Sequence, residues 1–290
     1  MPVLLHRPLP AIETLQAEGL DIRYAPKERG DIRIGFLNLM PDKITTERQW
    51  LRLFAQVDAT IEFHFLFLNR WIPKTTPIEH IRRYYSPVSD LLKLDALVIS
   101  GAPLGTKEYE EVGYWDELCE VFDYADDIAQ TTLYLCWAAN AAFFHDYNIP
   151  RKQKARKISG VYGHRIVRPH PLIEGIPNGV QFPHSRHAEA RQHQLFAHNE
   201  IQVLLHAPNA GAFLAVDELR RRAFLLGHPE YEGDTLYNEF RRDFDKGLLP
   251  TPPEYYFVDE EASELPEPFW QEQGVRLLQN WLRNWIRKKE

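Results

Sequence analysis

The 290 residues predict an α/β domain built on a largely parallel sheet flanked by helices. Three observations carry that expectation. Short β-branched and aromatic runs recur along the chain, and most are continuously apolar, as strands buried on both faces are. Helix-length segments separate them, which is the connection that parallel strands need. Three of the runs stop in turns that carry Cys, His or Gly, at the strand ends where open α/β sheets place their chemistry.

The predicted strands are 32–39, 61–68, 96–100, 132–135, 201–207 and 223–227. Between them, segment 45–56 opens with Thr45-Thr46-Glu47 and places Trp50, Leu51, Leu53 and Phe54 along one side of a helix. Helices are also expected over 114–129 and 137–147, after the third and fourth strands. Residues 1–30 read as an N-terminal extension. The other end differs: Pro250, Pro252, Pro253, Pro266 and Pro268 mark an irregular stretch, and a helix over 270–287 follows. Its Leu278, Trp281, Leu282 and Trp285 fall at i, i+3, i+4 and i+7, one apolar face that should dock on the sheet. A dimer surface is the lesser use of that stripe. The expectation is therefore a single domain over 1–290, with the extension and the 250–290 segment as elaborations.

Composition excludes several classes. With 34 Lys+Arg against 41 Asp+Glu, the net charge of −7 lacks the footprint of a general nucleic-acid binder. No apolar stretch approaches the roughly 18 residues that span a bilayer, and prolines at positions 2 and 8 interrupt any signal peptide. Cys119 and Cys136 could form at most one bridge, so this is no disulfide scaffold and a reducing cytoplasm is expected. The histidines, among them His164, His170, His184 and His187, give no metal-ligand spacing, so no metal is expected.

The chemistry concentrates at strand ends. Leu133-Tyr134-Leu135-Cys136-Trp137-Ala138-Ala139 reads as strand, thiol, helix. This turn presents the sulfur at the sheet edge, where the helix N-terminus favours thiolate. Taken alone, Cys136 could equally be a buried structural cysteine. Leu226-Gly227-His228-Pro229-Glu230 ends another strand and sets a carboxylate two residues beyond a histidine. Such a carboxylate can orient the imidazole and stabilise its protonated form. The carboxyl ends of parallel strands share one edge, so thiol, base and orienter are expected to converge. Ile99-Ser100-Gly101-Ala102-Pro103 ends a third strand, and its glycine permits the close backbone approach of an oxyanion wall.

These three turns resemble the class I glutamine amidotransferase-like fold. Within it the chain resembles the homoserine O-succinyltransferase/O-acetyltransferase family over nearly its whole length. The resemblance runs through Asn38-Leu39-Met40-Pro41 with Lys43 and Thr46-Glu47, Ser100-Gly101-Ala102-Pro103, and Leu135-Cys136-Trp137-Ala138. It continues through Lys157 with Ser159-Gly160-Val161-Tyr162, Pro183-His184-Ser185-Arg186, Gly227-His228-Pro229-Glu230-Tyr231, and Glu239-Phe240 with Arg242-Asp243.

The resemblance implies an acyl-CoA-dependent transferase of methionine biosynthesis that acts on a small hydroxy amino acid. No permanently bound cofactor is implied; succinyl-CoA or acetyl-CoA is a co-substrate. Cys136 would carry the acyl group as a thioester, His228 would be the base and Glu230 its orienter. Lys157, Ser185 and Arg242 match substrate-binding positions. Gly105 falls where donor selectivity resides, Gly going with succinyl transfer and Glu with acetyl transfer. Backbone N–H groups at Gly101, Ala102 and Trp137 would meet the oxyanion. Two positions depart from the pattern: Gly163 precedes His164 where Glu is frequent, and Asn140 stands where Gln is frequent. The acceptor, homoserine or serine, stays open on that account. The basic runs 151–157 and 220–222 are candidate landing zones for CoA phosphates. A glutamine amidohydrolase and a non-catalytic binding protein are the rival readings. The partners expected are small molecules, with neither nucleic acid nor membrane; whether a second copy of the chain joins them stays open.

Overall fold

The computed structural model describes residues 1–73, 75–90, 93–259 and 264–286. In chain order it begins with β1 (Val3–Leu5), α1 (Ala11–Ala17), β2 (Ile22–Tyr24), β3 (Ile32–Leu37) and α2 (Lys43–Phe54). Next come β4 (Ile61–Phe67), α3 (Ile78–Tyr84), β5 (Ser86–Pro87), β6 (Leu94–Ile99) and α4 (Trp115–Ile128). The middle is β7 (Ala129–Leu135), α5 (Trp137–Tyr147), β8 (Arg151–Ile166), β9 (Val180–Ala190) and α6 (Gln192–Ala197). The chain closes with β10 (Gln202–Ala207), β11 (Gly211–Asp217), β12 (Arg222–Leu225), α7 (Thr235–Asp245) and α8 (Trp270–Trp285).

The strands form one sheet in the order β2-β1-β4-β3-β6-β7-β12-β11-β10-β8-β9, with β5 added to β4. From β2 to β12 every pairing is parallel. From β12 to β9 every pairing is antiparallel. The predicted α/β class therefore holds, and all six predicted strands are present. The sheet also extends into an antiparallel half, of which the predicted runs announce β10 but not β8, β9 or β11. Its main part is the β8–β9 hairpin, where Ser159 pairs with Ser185 and Gly160 with His184.

Local signals explain most boundaries. Helix α2 starts two residues before the predicted 45, because the Asp42 side chain accepts from the Thr45 N–H at 3.1 Å and caps it. Helix α8 buries the predicted stripe of Leu278, Trp281, Leu282 and Trp285; Arg287 of the expected 270–287 helix lies outside the described residues. The same core cluster holds Val3 and Leu5 of β1, Trp50 of α2 and Trp281 of α8. Both elaborations thus pack into the core of the sheet. Trp281 Nε1 donates to Thr131 Oγ1 on β7 at 2.9 Å, and Trp270 Nε1 donates to the Tyr231 carbonyl at 2.8 Å. Among the described residues no helix is long and apolar enough to cross a membrane.

Candidate active site

Strand β7 is the sixth of the eleven strands in the main order, and its last residue hands over to Cys136. Cys136 has φ 45° and ψ −104°, a backbone state that costs a non-glycine residue about 1–3 kcal/mol. Two bonds hold it there. The Cys136 N–H donates to the Leu225 carbonyl at 2.7 Å, and Asn140 Nδ2 donates to the Cys136 carbonyl at 3.0 Å. Asn140 Oδ1 accepts the Ala190 N–H at 2.7 Å, so this residue ties the thiol turn to β9. The sharp turn starts α5 at Trp137, and the first N–H groups of a helix have no acceptor within it. A Cβ at Gly101 would stand 3.2 Å from Cys136 Cβ and 3.5 Å from the Trp137 nitrogen. Gly101 is therefore the close approach that brings the third turn against the first.

On the neighbouring strand β12, Leu225 leads through Leu226 and Gly227 to His228. His228 Nδ1 lies 2.8 Å from Glu230 Oε1, and both residues are buried. Burial alone would push the imidazole pKa down. The Glu230 carboxylate, together with charge and hydrogen bonding at Cys136, overrides it and holds His228 well above its ordinary value. Tyr231 stacks on the His228 ring with centroids 4.2 Å apart. Helix α8 backs this turn: a Cβ at Gly274 would lie 2.7 Å from Pro229 Cβ.

The remaining predicted residues gather around two carboxylates on α7. Lys157 Nζ donates to Glu239 Oε2 at 2.8 Å and to Asp243 Oδ2 at 3.3 Å. Ser185 Oγ donates to the same Glu239 oxygen, and Tyr231 OH donates to Glu239 Oε1 at 2.8 Å. Arg242 holds Asp243 Oδ1 through Nε and Nη2 and is half-exposed. Burial would raise the Glu239 pKa, but Lys157, Ser185 and Tyr231 lower it to about 2. One chain of contacts therefore runs from the His228 ring through Tyr231 and Glu239 to Lys157 and Ser185. Glu239, Tyr231 and Asp243 stand inside the motifs that carry the resemblance, which implies no role for them. The available signal is that Glu239 and Asp243 stand four apart, on one face of a helix.

Gly105 faces β9: a Cβ there would be in ordinary contact with His187 Cβ at 3.4 Å and with the Ala188 nitrogen at 3.8 Å. The departures at 163 and 140 also find their places. Gly163 is exposed, and a Cβ there would meet only the Gly179 carbonyl at 3.6 Å. Asn140 serves the thiol turn itself. Cys119 is half-buried in α4, and burial followed by nearby carboxylates pushes its thiol up to about 12. Of the two basic runs, 220–222 is committed to the fold. Arg222 is fully buried against Asp126 and Asp146, Arg220 pairs with Asp126, and Arg221 donates to the Trp285 carbonyl. In 151–157, Lys152 and Arg156 are exposed, while Lys154 and Lys157 already hold Glu189 and Glu239. Among the described residues two groups have ligand atoms close enough for a metal ion, His6–Glu62–His64 and Asp123–His145–Asp146. Arginines already occupy a carboxylate of each: Arg29 holds Glu62 at 2.9 Å and Arg222 holds Asp146 at 2.5 Å.

The α/β fold with its mixed, mainly parallel sheet resembles class I glutamine amidotransferase structures. A solved glutamine amidotransferase from Thermotoga maritima matches with a TM-score of 0.56, covering 88% of this chain and 100% of its own at 12% identity, a likeness of fold alone. The family model for homoserine O-succinyltransferase matches residues 2–290. A homoserine O-succinyltransferase from Shewanella woodyi is 38% identical over 99% of this chain and 93% of its own length. A homoserine O-acetyltransferase from Bacteroides fragilis is 36% identical over 99% and 96%. The chain belongs to the homoserine O-succinyl/acetyltransferase family, the homoserine O-acyltransferases of methionine biosynthesis. Relatives with either acyl donor stand at nearly equal identity, so overall similarity does not select the donor.

Proposed function

We propose that this chain is a homoserine O-succinyltransferase that works by a ping-pong route through a Cys136 thioester. The observation that carries the donor assignment is Gly105. A glutamate there would start in contact with His187 and Ala188 and would take up space and repel the carboxylate of a succinyl tail, which glycine leaves free.

The Cys136 thiolate attacks the thioester carbonyl of succinyl-CoA. N–H groups of the Trp137 turn and the Gly101–Ala102 turn meet the oxyanion. As the carbon–sulfur bond to CoA breaks, the His228 imidazolium gives its proton to the leaving thiolate. The homoserine hydroxyl then attacks the acyl-enzyme while neutral His228 takes its proton. The ester forms, the Cys136 thiolate departs, and the thiolate–imidazolium pair is restored. Glu230 orients the imidazole throughout. Arg242, half-exposed on α7, matches the acceptor carboxylate, and Glu239 with Lys157 and Ser185 forms the polar wall beside it. A cavity of about 590 Å³ lined by Arg156, Lys157, Tyr162, Asn209 and Glu254 adjoins this wall. Exposed Lys152 and Arg156 are the cations suited to CoA phosphates.

The test is intact-protein mass spectrometry after incubation with succinyl-CoA alone, followed by rates with succinyl- and acetyl-CoA against homoserine and serine. One succinyl adduct is expected, absent in Cys136→Ala, with homoserine consuming it. Gly105→Glu should move donor preference toward acetyl-CoA. An adduct that survives in Cys136→Ala removes the thioester. Unchanged selectivity in Gly105→Glu removes the donor assignment, and ammonia release from glutamine without acyl transfer removes the reaction.

A further inference from the structure

Arg186 lies on β9 with 5% of its surface exposed. Its guanidinium meets mainly neutral acceptors. Nη1 donates to the Leu226 carbonyl at 2.8 Å and to His184 Nδ1, and Nη2 donates to the Ala210 carbonyl. The nearest carboxylate, Glu189, has one oxygen 3.5 Å from Nη2, while its other oxygen is held by Lys154 at 2.8 Å. Two cations thus share one carboxylate; Lys154 is partly in solvent, whereas Arg186 is buried and, among the described residues, has no carboxylate to itself. A buried cation without its own counter-charge is costly.

The imidazoles beside it do not change that balance. His164 Nδ1 lies 3.2 Å from the Val180 carbonyl, which only accepts, so Nδ1 carries the proton and Nε2 is the acceptor. His184 Nε2, 2.8 Å away, must then donate to it, and His184 Nδ1 accepts from Arg186. One assignment satisfies every bond and leaves both rings neutral. Burial agrees, pushing His164 down to about 3 and His184 well below its ordinary value.

The position of this charge is specific. Arg186 grips the Leu226 carbonyl, the neighbour of the Leu225 carbonyl that accepts the Cys136 amide at 2.7 Å. Three residues earlier on the same strand, the Pro183 carbonyl accepts the His228 amide at 2.9 Å. Strand β9 therefore holds the turns of both nucleophile and base. We propose that Arg186 is a positioning residue for the nucleophile: a buried guanidinium, anchored by the neutral His164–His184 pair, that fixes the end of β12 and favours the thiolate of Cys136 through its partly matched charge. This rests on Cys136 being the working thiol. The other groups that act on that thiol are His228 with Glu230 behind it, and the hydroxyls of Tyr109 and Tyr231. Around Arg186 itself stand Glu189 with Lys154, His184, His164, Tyr162 of β8 and His206 of β10.

The experiment is the pH dependence of iodoacetamide alkylation of Cys136 in the full chain, with mass spectrometry separating it from Cys119. Arg186→Met should raise the alkylation midpoint by about one pH unit, and Arg186→Lys should restore most of that change. Glu189→Gln, which removes the compensating carboxylate with little change of shape, should lower the midpoint. A folded Arg186→Met with the wild-type midpoint overturns the proposal, as does Arg186→Lys matching Arg186→Met. If Arg186→Met does not fold, an unchanged midpoint in Glu189→Gln overturns it instead. Alkylation reads the thiol whether or not it accepts an acyl group, so this failure is separable from failure of the acyl-transfer reading.

Discussion

The parallel half of the sheet and its antiparallel extension each bury an arginine, and the two are balanced in opposite ways. Arg222 begins β12, at the end of that strand away from the His-Pro-Glu turn, and meets Asp126 at 2.9 Å, Asp146 at 2.5 Å and the Phe122 carbonyl at 3.1 Å. Arg220 shares these two carboxylates, so two cations meet two anions, and Arg222 joins α4, α5 and the sheet. Arg186 sits beside the other end of β12 with a share in one carboxylate and otherwise with carbonyls and an imidazole. A buried charge fully matched by neighbours holds a fold together; one left partly unmatched beside a cysteine sets a field.

The largest effect that tests this contrast is at the matched site. Arg222→Met strands Asp146 in the interior and should cost about 3–5 kcal/mol in urea unfolding, while the alkylation midpoint of Cys136 stays at its wild-type value. A shifted midpoint would dissolve the contrast, because both arginines would then act on the thiol. Glu239 comes next, as an acid whose charge is fully matched. Its pKa lies below the ordinary 4.5, at about 2. Its contribution is therefore present above pH 4.5 and is lost as pH falls toward 2. That contribution is on the order of 3 kcal/mol. Glu239→Gln should flatten the fall in Tm over that window; an equally steep fall in the variant assigns acid sensitivity elsewhere. The smallest effect probes the support from α8. Gly274→Ala presses a methyl on Pro229 and should cost about 1–3 kcal/mol. Because that proline lies between His228 and Glu230, acyl-transfer kcat should fall while KM for the acceptor holds. A lowered Tm with intact kcat would show that α8 stabilises the sheet without setting the base.

Much of this could be read from the chain. Strands such as β3, β6 and β7 announce themselves because burial on both faces demands continuous apolar runs, and α8 because its stripe has the helical period. The thiol turn and the His-Pro-Glu turn are legible because each is a local event within a few residues. Strands β8 and β9 are not. The start of β8 is dense in Lys and Arg, and charge alone does not distinguish a paired strand from a solvated run. The 220–222 run shows the same ambiguity resolved differently, with Arg222 fully buried.

By itself the sequence determined the α/β class, the triad residues Cys136, His228 and Glu230 as candidates, and the family through its ordered motifs. Only the tertiary structure decided that Lys157, Ser185 and Tyr231 meet on Glu239, and that Gly105 looks onto His187. It likewise decided which buried arginine lacks a carboxylate of its own. Strand ends and helical periods are properties of adjacent residues, whereas the balance of a buried charge depends on partners dozens of residues away, brought close only by the pairing of β8 with β9 and the packing of α7.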